Sequence, residues 1–178
     1  MIKENERLLE FFQKQSHSIL KKSFDKTEVI IRQGAQLNHV YCIISGIVKC
    51  YYTDINDKEF IVEFLGKGEI LGEVEAIQRG QVLCSIQALT PLETFVVPID
   101  HFRMWLEKDL ELNQLLLDSC TKRIVDTAKR ASIQQLNDIE FNLKQLKDWK
   151  NLPISKTDLA AYLGVTVRAL NRTLKNYS

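Results

Sequence analysis

Thr166, Val167, Arg168, Asn171, Arg172 and Lys175 are the side chains of this chain best suited to touch a charged polymer. An arginine fork can take the O6 and N7 of a guanine together, an Asn amide reaches adenine, and Thr or Lys holds phosphate. The stretch 149–178 carries Lys150, Lys156, Arg168, Arg172 and Lys175 against Asp158 alone, the balance a nucleic-acid contact requires. On charge alone, a solvated helix end reads equally well. Two short helices would have to position these residues. Ser155 is placed to cap the first, with Asp158 three residues on as in a capping box. Leu159, Ala160 and Leu163 follow, Gly164 supplies a left-handed turn, and Val165, Leu170 and Leu174 give the second helix an apolar underside. This is a helix-turn-helix arrangement, whose partner is double-stranded DNA.

The remaining reactive side chains form no such pattern. Cys42, Cys50, Cys84 and Cys120 include no C-x-x-C pair and do not cluster with the histidines, which argues against a zinc site and for thiols used as small core residues. A redox or metal-sensing role is the alternative. No nucleophile–base pair, metal-ligand cluster or phosphate-cradling glycine loop is present, so an enzyme is not expected.

Ahead of the helix-turn-helix, Leu106, Leu110, Asn113, Leu117, Cys120, Ile124, Thr127 and Ala131 step alternately by four and three residues. A heptad seam of this length meets a partner helix, here a second copy of the chain, with Asn113 setting the register. Leu112, Leu115, Leu116 and Val125 lie off the seam and are free to pack the helix inward; burial of the whole set within one chain is the alternative. The helix is expected to begin at Asp100 as N-cap and to run without interruption, since neither Gly nor Pro occurs from there to Pro153. A further helix capped by Asn137 or Asp138 would carry Ile139, Leu143, Leu146 and Trp149 and end at Pro153.

Six of the seven glycines fall between Gly34 and Gly80, among β-branched and aromatic residues. Glycine punctuating short strands predicts an antiparallel barrel or sandwich, with strands at 28–32, 40–44, 47–53, 60–65, 83–88 and 93–98. Ser45-Gly46 and the run 54–57 read as turns between strands. A two-residue hairpin at Ser45-Gly46 would set Cys42 opposite Lys49 and Cys50 opposite Tyr41, with the two thiols on opposite sides. The fold expected is therefore α+β: a β-domain over 1–100, a dimerisation helix over 101–136 and a helix-turn-helix domain over 137–178.

Residues 1–100 hold 11 Lys and Arg against 14 Asp and Glu, and residues 101–178 hold 13 against 9, so the net charge of +1 conceals a basic C-terminal part. The longest uncharged stretch, 33–48, falls short of the roughly 20 apolar residues of a membrane span, and the charged N-terminus has no apolar signal region. A cytoplasmic protein with no membrane partner is the expectation.

Ile31-x-Gln33-Gly34, Ile44-Ser45-Gly46, Gly66-Lys67-Gly68-Glu69, Gly72-Glu73, and Ile154-Ser155-Lys156 through Gly164-Val165-Thr166 to Arg172 occur in an order that resembles the Crp–Fnr superfamily of bacterial transcription regulators over essentially the full length. The resemblance implies a β-barrel or jelly roll of the cyclic-nucleotide-binding type, a dimerisation helix and a DNA-binding domain acting on a palindromic operator, with RNA polymerase as a further candidate partner. It also implies a β-wing, which would lie beyond Ser178. By the same likeness the effector pocket would involve Gly72, Glu73, Val82, Leu83 and Cys84, with Thr127 reaching in from the long helix.

The departures from the pattern set further expectations. Nucleotide-responsive members follow Gly-Glu with Arg-Ser for the cyclic phosphate, whereas no Arg lies between Arg79 and Pro91 here, so cyclic AMP is not the expected ligand. An iron–sulfur cluster is not expected either, because no cysteine precedes Cys42. Haem stays open, with His17, His39, Cys84 and His101 as candidate ligands. At the start of the second helix Thr166-Val167-Arg168-Ala169 stands where Crp-like members carry Ser-Arg-Glu-Thr, so a different operator is implied. A ligand- or protein-binding module without DNA function is the competing reading.

Overall fold

The computed structural model describes residues 1–146 and 149–175; residues 176–178, which end the expected C-terminal domain, lie outside the described residues. The elements are β1 (Ile2–Lys3), α1 (Glu6–Lys14), β2 (Leu20–Phe24), β3 (Val29–Ile31), β4 (His39–Ser45), β5 (Val48–Thr53), β6 (Glu59–Leu65), β7 (Ile70–Leu71), α2 (Glu73–Gln78), β8 (Ser85–Ala88), β9 (Leu92–Pro98), α3 (Ile99–Lys108), α4 (Leu110–Leu136), α5 (Ile139–Gln145), a 3-10 turn at Trp149–Asn151, α6 (Lys156–Leu163) and α7 (Val167–Lys175).

Alternation along the strands builds the layers. In β4, Val40 and Cys42 point to one side, with Leu8, Leu9, Phe12 and Leu112, while Tyr41 and Ile43 point to the other, with Val48, Leu65 and Ile86. A four-stranded sheet, β2-β9-β4-β7, thus lies between the helices α1, α3 and the start of α4 on one face and a five-stranded sheet, β1-β6-β5-β8-β3, on the other. This is a jelly-roll-like sandwich of two sheets in place of a closed barrel. The outer face of the five-stranded sheet is covered in turn: Ile61, Phe64 and Leu89 pack with Ile154, Ala161 and Tyr162.

Ser45-Gly46 does not close a hairpin. β4 pairs with β9 and β7, and β5 with β6 and β8, so the two residues carry the chain from one sheet to the other. Cys84, just ahead of β8, lies half-buried beside Cys50 of β5 at the edge of the inter-sheet core. The run 54–57 does form a turn: Asp54 accepts from the backbone N–H of Asn56 and Lys58 at 2.8 and 2.9 Å between β5 and β6.

The long helix is interrupted. Pro98 precedes α3, which begins at Ile99, so Asp100 is not its cap; α3 then stops at Asp109, whose carboxylate caps α4 by accepting from Leu112 N at 3.0 Å. Asn113 donates to the carbonyls of Leu106 and Asp109 at 2.6 and 2.8 Å, sealing this joint, and Leu106 belongs to the other helix. Leu112, Leu115 and Leu116 are buried as expected, while Val125 is exposed. Asp138 caps α5 by accepting from Phe141 N at 2.8 Å, but this helix ends at Gln145, well before Pro153.

Candidate nucleic-acid interface and effector pocket

α6 and α7 are set by the residues between and beneath them. Ser155 caps α6, accepting from Asp158 N at 3.0 Å and donating to its carboxylate at 2.6 Å. Gly164 ends α6 in the left-handed conformation at φ 69°, which an L side chain adopts only under strain. Leu159, Ala160, Leu163 and Leu170 are buried together, with Val165 and Leu174 against them. Thr166 accepts from Ala169 N at 3.1 Å, so its hydroxyl caps α7. Val167, Arg168, Arg172 and Lys175 are exposed and Asn171 is half-buried. The apolar underside is thereby filled while the cationic edge of α7 faces outward.

The same α6 is fastened to the β-domain. Buried Lys49 on β5 donates to Asp158 at 2.9 Å and to Glu59 at 3.0 Å. Phe64 and Tyr162 meet with ring centroids 5.1 Å apart, and the Arg130 guanidinium lies 4.5 Å over the Tyr162 ring while donating to the Ile61 carbonyl at 3.0 Å. Burial works against the Asp158 charge, but hydrogen bonds from Ser155 and Lys49 hold its carboxyl below the usual range.

The residues expected to form the effector pocket come from α2, the segment after it and α4, and Leu83 N donates to Glu75 of α2 at 3.1 Å. Val82 is buried in the inter-sheet core, Leu83 is exposed, and Cys84 packs against that core beside Cys50. Gly72 precedes α2, whose first residue, Glu73, is buried and bound by Arg123 of α4. Thr127 lines a cavity. It lies in a recess of about 680 Å³ between β6, α2 and α4, together with Glu63, Ile77, Arg123 and Ile124. Of the haem candidates, His39 lies beside Tyr41 and His101 packs on Trp105, and no group of three His, Cys, Asp or Glu side chains able to hold a metal ion occurs among the described residues.

Arg123 organises this recess. It binds Glu73 and donates to Glu63 at 2.8 Å, and Glu63 also receives Lys3 at 2.6 Å. A bulge places Glu63: Cys50 pairs with Glu63 and Tyr51 with Ile61, leaving Val62 as the extra residue. Burial works against the charge of Arg123, but Glu73, Glu63 and Glu69 outweigh it and keep the guanidinium protonated well above its usual range. Nothing in the spacing of charges along the long helix singles out Arg123 in the sequence. The available signal was Glu63 inside the strand-like run 60–65, a charge that burial obliges to find a partner.

Along α4 the seam residues Leu110, Leu117 and Ile124 are 69–71% exposed, Cys120 is half-buried, and apolar recesses border them on the α2 side. No described helix is long and apolar enough to cross a membrane.

Residues 21–109 match the cyclic nucleotide-binding domain family. The chain is 26% identical over 171 residues to an anaerobic regulatory protein of Haemophilus influenzae, and 21% identical over 174 residues to the cAMP-activated global transcriptional regulator CRP of Pasteurella multocida. The chain belongs to the Crp–Fnr superfamily of transcription regulators. These alignments cover 88% and 90% of this chain, 66% of the Haemophilus protein and 83% of the Pasteurella one. Among solved structures of the superfamily's fold, the c-di-GMP responsive global regulator CLP of Xanthomonas campestris superposes with a TM-score of 0.80 at 19% identity, over 97% of this chain and 89% of that one. A CRP/FNR-family transcriptional regulator from Thermus thermophilus gives 0.74 at 16% identity, over 88% of this chain and 84% of that one.

Proposed function

We propose that the chain is a homodimeric DNA-binding transcription regulator, not an enzyme, in which α7 reads a palindromic operator and the β-domain senses a signal other than cyclic AMP. The observation that carries this reading is the free cationic edge of α7 above a filled apolar underside. Arg168, Asn171 and Arg172 are the base-reading residues, Val167 supplies apolar contact, and Thr166 and Lys175 lie against phosphate. The open seam of α4, with Leu110, Asn113, Leu117, Cys120 and Ile124, takes the second copy. Two α7 helices related by its two-fold axis would enter successive major grooves about 34 Å apart.

The signal is read in the recess at Thr127, and the Arg123 network argues against cyclic AMP. Glu73 is already neutralised by Arg123, and an added phosphate would be a buried anion without a counter-charge, costing on the order of several kcal/mol. Calorimetric titration should detect no cyclic AMP binding, and micromolar affinity would refute this part. Operator selection from a random DNA pool tests the rest. Wild type should recover a two-fold symmetric site. Arg172→Ala should relax one base position per half-site, and Lys175→Ala should weaken all sequences alike and lower the salt slope by about one. Recovery of no palindrome, or the same base preferences from wild type and Arg172→Ala, would overturn the assignment.

A further inference from the structure

Cys50 and Cys84 are brought together by the pairing of β5 with β8. Cys50 stands opposite Ile86 and Tyr51 opposite Ser85, so alternation puts Cys84 on the face that carries Ile86 and Cys50. Both side chains pack on the same apolar cluster, and the two thiols are hydrogen-bonded to each other. Their access to solvent differs: Cys50 is 8% exposed, whereas Cys84 is half-buried. The other two cysteines lie elsewhere. Cys42 is buried on the helix-facing side of β4, where it donates to the Gly68 carbonyl at 3.9 Å, and Cys120 sits on α4.

The pair is also unequal in reactivity. The hydrogen bond from Cys50 holds the Cys84 thiol below its usual range, against burial and the carboxylates of Glu75 and Glu63. The same bond, together with burial, keeps the proton on Cys50, and burial pushes the thiols of Cys42 and Cys120 up. An accessible thiolate beside a second thiol is the arrangement in which oxidation stops reversibly at a disulfide.

We propose that Cys84 is a site of oxidation by peroxides and that Cys50 resolves it, giving a reversible Cys50–Cys84 disulfide. The Cys84 thiolate attacks one peroxide oxygen, the O–O bond breaks, and the leaving oxygen takes up the proton that the thiol gave to solvent, which leaves a sulfenic acid. Cys50 Sγ then displaces the hydroxyl from Cys84 Sγ, and the Cys50 proton departs with that hydroxide as water. Two thiols are oxidised by two electrons and the peroxide is reduced. Cys84 stands ahead of β8 and outside its ladder pairs, so closing the contact to a bond of about 2.05 Å breaks no strand pairing. The loop so closed holds β6, β7 and α2, and with them Glu63 and Glu73, both partners of Arg123 on α4. Oxidation is thus registered in the segment that grips the long helix.

Peptide mapping of the whole chain tests this. The reduced protein is exposed to a small excess of hydrogen peroxide, remaining thiols are blocked with N-ethylmaleimide, and the chain is cut with trypsin. Cleavage after Lys49, Lys58, Arg79 and Arg103 gives peptides 50–58 and 80–103, so Cys50 and Cys84 fall in separate fragments, apart from those of Cys42 and Cys120. The two peptides should appear linked, two hydrogens lighter than their sum, while Cys42 and Cys120 are alkylated, and dithiothreitol should restore all four thiols. Cys84 should be oxidised at least about tenfold faster than Cys120. In Cys50→Ala the sulfenic acid should persist on Cys84 and be trapped by dimedone. Cys84→Ser should give neither link nor label, and Cys120→Ser, which leaves the pair intact, should link at the wild-type rate. Oxidised wild type without the 50–58 to 80–103 link, a link through Cys42 or Cys120 in its place, or a product that dithiothreitol does not reverse would each overturn the proposal. The measurement needs neither DNA nor the dimer, so its failure is separable from failure of the operator reading.

Discussion

Three buried carboxylates, Glu63, Glu69 and Glu73, gather around Arg123, and they are not equally served. Glu63 holds both Lys3 and Arg123, and Glu73 holds Arg123, but Glu69 is left with an unpartnered Oε2. Burial pushes the Glu69 carboxyl above its usual range, although Arg123 pulls the other way. A carboxyl whose pKa is higher in the folded than in the unfolded chain binds its proton more tightly in the fold, so stability falls as pH rises from the unfolded value toward the folded one. Glu69→Gln removes that dependence. The variant should exceed the wild type in stability at pH 7, by roughly 1–3 kcal/mol if the orphaned oxygen is the main cost, and the two should converge below about pH 4. Urea denaturation across that range checks it; a variant less stable than wild type at pH 7 would mean that the charge on Glu69 supports Arg123.

Between elements, the contact that most defines this molecule joins β5 to α6 through Lys49 and Asp158. Because both partners are buried, the pair should couple: the cycle of Lys49→Met, Asp158→Asn and the double variant should return about 1–3 kcal/mol. The depressed carboxyl of Asp158 gives stability that is present above its unfolded value and lost as pH falls through the folded one, so the coupling should shrink toward zero in acid. Equal losses in the single variants and their sum in the double would show two independent side chains. Gly68, at φ 79°, makes a comparable joint: a Cβ there would lie 1.9 Å from the Asn5 carbonyl oxygen, so the cap of α1 and the β6–β7 turn cannot both keep their places with any other residue. The sequence was informative about elements whose signals are local. Ser155, Asp158, Gly164 and the apolar set of α6 and α7 could be read directly, as could six strands. What was not legible depended on distant partners. β1 and β7 are two-residue strands, too short for periodicity, and β2 is an exposed edge. The break at Asp109 was hidden because Asp, unlike Gly or Pro, is compatible with helix and acts here only as a cap. The pairing of β4 with β9 in place of β5 was hidden because a Ser-Gly step serves a hairpin and a crossover alike.

For the molecule as a whole, the proposed dimer rests on the exposed seam of α4. Leu117→Glu with Ile124→Glu changes two side chains that contribute little to the single chain's core, so the fold should persist while the dimer is lost. Sedimentation should then give the mass of one chain, with circular dichroism unchanged; a dimer surviving both substitutions would assign the interface elsewhere. The topology bears also on how the chain is made. Thr94 on β9 donates to the Lys22 carbonyl 72 positions earlier, and β1, β3 and β4 likewise wait for β6, β8 and β9. During synthesis the β-domain therefore cannot close until Pro98 has left the ribosome, and apolar strands such as β4 must be shielded in the nascent chain until then. The C-terminal helices, whose cap and turn contacts span only a few residues, are under no such delay. A stop introduced before β9 should give insoluble product, whereas ribosomes stalled once α4 has emerged should carry a protease-resistant β-domain while the rest of the chain is still being added.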